Sequence, residues 1–139
     1  MGLILDTIIY SNLIFEYEKL NQKTIDLIAE EEILYITFPT IWEMANHVRN
    51  GIYDIGNENF DTFIQNINKD LNIKIMPISW QALNWLSSTP YVTAHGKLHK
   101  DTFDRMIIAH AITSNIPIVS KDNSFPYYTD KGLVFYHIK

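Results

Sequence analysis

Short apolar runs alternate along this chain with segments whose apolar residues recur at helical spacing. Residues 2–5 are nearly all apolar, as expected of a strand covered on both faces, and Asp6 ends the run. Apolar residues return at helical spacing over 8–15 and 23–29, and 34–38 is again rich in β-branched and aromatic residues. Pro39 and Thr40 break that strand, and the spacing predicts a helix from Thr40 to about Asn50 that Gly51 can close in a left-handed conformation. A further helix over 60–71 puts Phe60, Phe63, Ile64 and Ile67 on one face. A third strand over 73–78 precedes a helix capped by Ser79 and carrying Ala82, Leu83, Trp85 and Leu86. Residues 87–100 read as a loop. The segment 101–114 predicts an amphipathic helix with Phe103, Ile107, Ile108 and Ala111 inward, 116–120 a fourth strand, and 133–138 a short fifth.

This alternation predicts βαβ units joined by right-handed crossovers, hence an α/β fold with a central, mostly parallel sheet of four to five strands flanked by helices. No repeat, low-complexity tract or linker divides the chain, so residues 1–139 are expected to form one domain. With 139 residues, 47% of them hydrophobic, such a domain should bury roughly two-thirds of its unfolded surface. There is no cysteine, which excludes disulfides and thiolate chemistry. The apolar run before Asp6 has no basic flank, and no later run approaches the ~20 apolar residues of a membrane span, so a soluble, cytoplasmic protein is expected.

Four acidic residues change the picture. Asp6, Glu43, Asp104 and Asp122 each fall where a predicted strand gives way to a helix or turn. If the strands are parallel, their carboxyl ends share one edge of the sheet, and these side chains meet in one crevice. Carboxylates so placed resist ionising unless a positive charge sits among them, and a hard divalent cation, Mg²⁺ or Mn²⁺, suits oxygen ligands. The pattern points to a metal-dependent phosphodiester hydrolase. The formal net charge of −5 opposes a protein that grips nucleic acid by bulk electrostatics, so any such contact must be local or supplied by a second subunit.

Each acid also has a plainer reading. Glu43 lies three residues after Thr40, the spacing of a capping box. Asp101 and Asp104 repeat that spacing at the next helix start, with Asp101 as the cap and Asp104 either stabilising the first turn or binding metal. Asp122 sits in a Ser-Lys-Asp-Asn stretch that turns readily. Asp6 is hardest to explain this way, because a charge directly after a buried strand costs several kcal/mol unless it is paired or bound to metal.

Leu5-Asp6-Thr7, Thr40-Ile41-Trp42-Glu43, Asp101-Thr102-Phe103-Asp104-Arg105 with Ile108-Ala109-His110-Ala111, and Val119-Ser120-Lys121-Asp122 resemble, in order and over the whole chain, the motifs of PIN-domain proteins. Among these the chain is most similar to VapC-type toxins of type II toxin–antitoxin pairs. It departs from them in Ile8, where Asn or His often follows Asp-Thr, in Thr102 for a common proline, and in His110 for a frequent glutamine. The resemblance implies a three-layer α/β/α PIN-like domain, a Mg²⁺ or Mn²⁺ site and RNA as substrate. It assigns the acidic cluster to Asp6, Glu43, Asp104 and Asp122, with Thr7 and Ser120 as neighbouring hydroxyls. It further implies a homodimer that lines up two acidic sites and an antitoxin that covers them.

Metal-assisted attack by water would leave a 5′-phosphate and a 3′-hydroxyl. Asp6 and Asp104 are expected as direct ligands, Glu43 as a ligand directly or through water, and Asp122 in the outer shell. Arg105 has two open readings: its planar fork can hold an RNA phosphate, or it can brace a carboxylate. Glu43 and His47 are four apart on one predicted face, with His95, His99 and His110 further on, but no tight histidine pair or cysteine cluster favours zinc. Asp6-Thr7-Ile8 lacks the second acid of a haloacid-dehalogenase motif, and neither a glycine-rich phosphate loop nor a Gly-x-Ser-x-Gly elbow is present. The alternatives are an RNA-processing nuclease of the same fold and a catalytically silent association module, for which the apolar and aromatic content around Trp42, Trp80, Trp85, Tyr127, Tyr128 and Tyr136 would supply part of the surface, although most of these rings are expected in the core.

Overall fold

The structure, a computed structural model, describes residues 2–138. Its elements are β1 (Gly2–Leu5), α1 (Thr7–Phe15), α2 (Gln22–Glu30), β2 (Ile33–Thr37), α3 (Phe38–Arg49), α4 (Phe60–Leu71), β3 (Ile73–Met76), α5 (Trp80–Ser88), β4 (Val92–Ala94), β5 (Lys97–His99), α6 (Thr102–Ser114), β6 (Ile118–Ser120) and β7 (Phe135–His137). Short 3₁₀ turns cover Tyr17–Lys19 and Phe125–Lys131.

Five strands form one sheet in the order β3-β2-β1-β6-β7, and every pairing in it is parallel. β1 is central and wholly buried, which is why its sequence is apolar at every position instead of alternating. Leu3 and Leu5 face one core with Ile9, Tyr10, Met44 and Ile64, from α1, α3 and α4. Ile4, on the opposite face, packs with Ile107 and Ile108 of α6 and with Phe125 and Tyr128. Helices therefore cover both faces, giving three layers. From β1 the chain builds outward to β2 and β3, then returns to place β6 and β7 on the other side. The reversal between β1 and β6 opens a crevice at their carboxyl ends.

The register there is specific. Leu5 pairs with Val119, and the Asp6 N–H donates to the Val119 carbonyl at 3.1 Å, so the residue after β1 lies beside the end of β6.

Two expectations need correction. The helix after β2 starts at Phe38, not Thr40, because Pro39 fits the first turn, where its missing N–H costs nothing. Thr40 is thus inside α3 and cannot cap it, which removes the capping-box reading of Glu43. The expected loop over 87–100 holds the end of α5 and an antiparallel hairpin, β4–β5, turned by His95 (φ 53°) and Gly96 (φ 77°). Two consecutive positive φ angles match the hairpin twist, but His at the first of them hides the signal that Asn or Asp would have shown. β3 stops at Met76 before Pro77, and β6 begins at Ile118 after Pro117, each shorter than the apolar run around it. Among the described residues, no helix is long and apolar enough to cross a membrane.

Candidate active site

All four acids line one open cavity of about 370 Å³ at the carboxyl edge of the sheet, with Thr7 and Lys121 also in its walls. They come from four places in the chain: the end of β1, the second turn of α3, the first turn of α6 and the loop after β6.

Asp6 is only 6% exposed. Its Oδ1 accepts the Thr7 N–H at 2.9 Å, capping α1, and its Oδ2 accepts the Ser120 hydroxyl at 2.6 Å. Ser120 Oγ in turn accepts the Asp122 N–H at 3.0 Å, tying the turn after β6 to the end of β1. Burial pushes the Asp6 carboxyl up to about 6; the bonds from Ser120 and Thr7 oppose this, and the charges of Asp122 and Glu43 add to it. Across the crevice, the Thr7 hydroxyl donates to Glu43 Oε1 at 2.9 Å and lies 3.0 Å from the Thr40 hydroxyl. Thr7 and Thr40 are both buried and anchor Glu43 to the start of α1. Burial also raises Glu43, with Thr7 opposing and Asp101 contributing.

Asp101 caps α6, accepting the Asp104 N–H at 2.9 Å, as its spacing predicted. Asp104 is the most perturbed acid: burial first, then the charges of Asp101, Asp122 and Asp6, push it up to about 8. The two neighbouring carboxyls shift one another in opposite directions, Asp122 raising Asp104 and Asp104 lowering Asp122. Burial alone would raise Asp122, but the Ser124 hydroxyl (2.6 Å) and N–H (2.8 Å), with Asp104, bring it net below its ordinary value.

Other side chains are placed less as expected. Arg105 turns away from the crevice: it is buried, donates through Nη2 to the Thr89 carbonyl at 3.0 Å, and lies over Tyr91, 4.6 Å from the ring centroid. It is therefore not set to hold a phosphate, nor does it touch an acid. Lys121 is the one lysine or arginine among the described residues lining the cavity. His47 also lines it, one turn beyond Glu43, with its ring edge-on to Tyr53 at 5.7 Å and Nδ1 unpartnered. His110 is buried in α6 and accepts the Ser79 N–H, while His95 packs against Tyr127. His99, weighed in the sequence only as a zinc ligand, has a contact that sequence reasoning missed: from β5 it reaches Asp104 Oδ2 at 3.3 Å. Its signal lay in a three-residue strand that no periodicity could reveal.

No three of the described His, Asp and Glu side chains are gathered tightly enough, as they stand, to hold one ion. The reason is visible in the bonding: Asp6, Glu43 and Asp122 are each turned toward a hydroxyl, of Ser120, Thr7 and Ser124 respectively. The donor set nonetheless fits a hard divalent cation, being carboxylate and hydroxyl oxygen throughout, with two of the acids raised by burial and by neighbouring carboxylates whose charge a cation would offset.

A parallel sheet flanked by helices, with acids converging at its switch point, defines an α/β protein with an acidic crevice. The PIN-domain family model matches residues 3–131, and the chain belongs to that family. PIN-domain proteins are nucleases that generally use divalent metal ions. Several solved structures share the fold. VapBC2 from Rickettsia felis, bound to a DNA fragment from its promoter, is 15% identical with a TM-score of 0.66, covering 99% of this chain and 98% of that one. FitAcB from Neisseria gonorrhoeae is 16% identical with a TM-score of 0.67, covering 96% of each chain. VapBC-5 from Mycobacterium tuberculosis, a member of the VapBC family of toxin-antitoxin systems, is 14% identical with a TM-score of 0.57, covering 99% and 98%. No curated protein sequence matches the chain.

Proposed function

We propose that this PIN-domain chain is a Mg²⁺- or Mn²⁺-dependent endoribonuclease and the toxin of a type II toxin–antitoxin pair, acting as a single cytoplasmic domain. The observation that carries the reading is the meeting of Asp6, Glu43, Asp104 and Asp122, from four separate elements, in one cavity. Asp6 and Asp104 would hold the cation directly, Glu43 directly or through water, and Asp122 from the outer shell. When bound, such a cation lowers the pKa of a water molecule and offsets the charge that develops on phosphoryl oxygens.

The chain's own groups then have distinct tasks. Ser120 and Thr7 fix which carboxylate oxygens face the cavity, because each spends its hydroxyl hydrogen on one acid. In the cation-free fold burial holds Asp6 and Asp104 far above the usual carboxylate range, and a cation held between them would favour their ionised forms. Lys121 stands at the rim, where it can meet a backbone phosphate. The toxin assignment is supported by fold likeness over nearly the whole chain to a member of a toxin-antitoxin family. An antitoxin arginine or lysine entering the crevice would pair with the carboxylates and exclude metal. A homodimer would line up two such acidic sites, and with a net charge of −5 on each chain the contacts to RNA would be local ones.

The test is total RNA incubated with the purified chain, in Mg²⁺ or in chelator. Cleavage is expected only with Mg²⁺, and end-group analysis should find 5′-phosphates and 3′-hydroxyls. Cyclic phosphates, or equal cleavage in chelator, would overturn the mechanism.

A further inference from the structure

A chain of side-chain hydrogen bonds that leads away from the crevice ends at the acids themselves. His99 lies at the end of β5 with its side chain 11% exposed. On one side, His99 Nδ1 is 2.7 Å from the Tyr128 hydroxyl. On the other, Nε2 is 3.3 Å from both Asp104 Oδ2 and Ser124 Oγ.

The donors along this chain can be assigned by elimination. Ser124 spends its hydroxyl hydrogen on Asp122 Oδ1 at 2.6 Å, so toward His99 it can only accept. Nε2 must therefore carry a hydrogen. At the other end, Tyr128 is fully buried, with its hydroxyl 2.7 Å from His99 Nδ1. A neutral ring with its hydrogen on Nε2 has a bare Nδ1, so the Tyr128 hydroxyl donates to it. The ring is then the neutral Nε2–H tautomer, with that hydrogen shared between Asp104 and Ser124.

We propose that His99, set by Tyr128, is the positioning residue that fixes the Asp104 carboxylate, and through Ser124 that of Asp122, for the cation. This rests on the metal-nuclease reading above. The bond to Oδ2 leaves Oδ1 of Asp104 as the oxygen free for the cavity. Ser124 does the same for Asp122, holding Oδ1 and leaving the other oxygen. The hairpin β4–β5 acquires a purpose, because it carries the imidazole to the acids.

The experiment combines ¹⁵N NMR of the cation-free protein with calorimetric titration of Mn²⁺, on the parent chain, His99→Ala, His99→Gln and Tyr128→Phe. The parent's His99 is expected to show protonated Nε2 and bare Nδ1. His99→Ala is expected to weaken Mn²⁺ binding about 10–100-fold, the usual effect of losing a partner that orients a metal ligand. His99→Gln, which keeps an N–H near Asp104, should recover most of that loss, whereas a residue that merely filled space would show no such rescue. If His99→Ala does not fold, Tyr128→Phe carries the test: it deletes one hydroxyl, and both the tautomer signature and the Mn²⁺ affinity should decline. A parent that binds Mn²⁺, with His99→Ala, or in its place Tyr128→Phe, binding equally well, overturns this inference alone. A parent that binds no Mn²⁺ overturns the metal reading and the inference with it.

Discussion

Asp6→Asn is expected to reduce Mg²⁺-dependent RNA cleavage by at least about 100-fold, because removal of even the partners that orient a ligand costs about 10–100-fold. The same change should leave the fold intact. Asparagine caps a helix as well as aspartate does, so the Thr7 N–H keeps its acceptor at the start of α1. Ser120 can reverse its role and accept from the new amide. Holding Asp6 ionised in the cation-free fold is costly: raising it from 3.8 to about 6 corresponds to about 3 kcal/mol. In chelator above pH 6, Asp6→Asn should therefore melt at the same temperature as the parent or higher, while in Mg²⁺ it loses the parent's metal-dependent gain. Cleavage within tenfold of the parent would show that Asp6 is no ligand.

The second large effect is on the pH dependence of stability. Between pH 3.8 and about 6 the unfolded chain has released the Asp6 proton and the folded chain has kept it, so the folded state binds more protons and stability declines as pH rises. Glu43 acts in the same sense. Asp104 extends the decline to about pH 8. His99, lowered by burial, works in the opposite direction, but only up to 6.5, its unfolded value. Asp122, held low, is ionised in both states over this range.

The decline should therefore be clearest from pH 6.5 to 8, where one retained proton is worth at most about 2 kcal/mol, or about 5–10 °C of melting temperature. Saturating Mg²⁺ should abolish it, since the cation binds the ionised acids and stabilises the fold by mass action. Melting curves in chelator that stay flat or rise across this window would contradict the burial and crowding inferred for Asp104.

Much of the site was legible because strand ends are. An all-apolar run cut by Asp6 marks a central strand and its exit, and parallel pairing then carries Glu43, Asp104 and Asp122 to the same edge. What the residues could not show was how each acid is held. Thr40 and Glu43 have capping-box spacing, and only the helix start at Phe38 reveals that the glutamate is bound to Thr7, 36 residues away. Arg105 sits next to Asp104 in sequence, yet adjacent helical residues do not face one another, and the guanidinium goes to Thr89 and Tyr91. His99 was hidden because three-residue strands lack periodicity and because its partners, Tyr128 and Ser124, lie far along the chain. Contacts set by tertiary register, not by local pattern, account for each of these gaps.

The central claim is that the four carboxylates form one cation site. Its most direct test is calorimetric titration of Mn²⁺ at pH 7.5 into the parent chain and into Asp6→Asn, Glu43→Gln, Asp104→Asn and Asp122→Asn. The account predicts saturable binding by the parent, near-complete loss in the Asp6 and Asp104 variants, and weakened binding in the other two. Binding by the Asp6 and Asp104 variants as tight as the parent's, or a parent that takes up no cation, would contradict it.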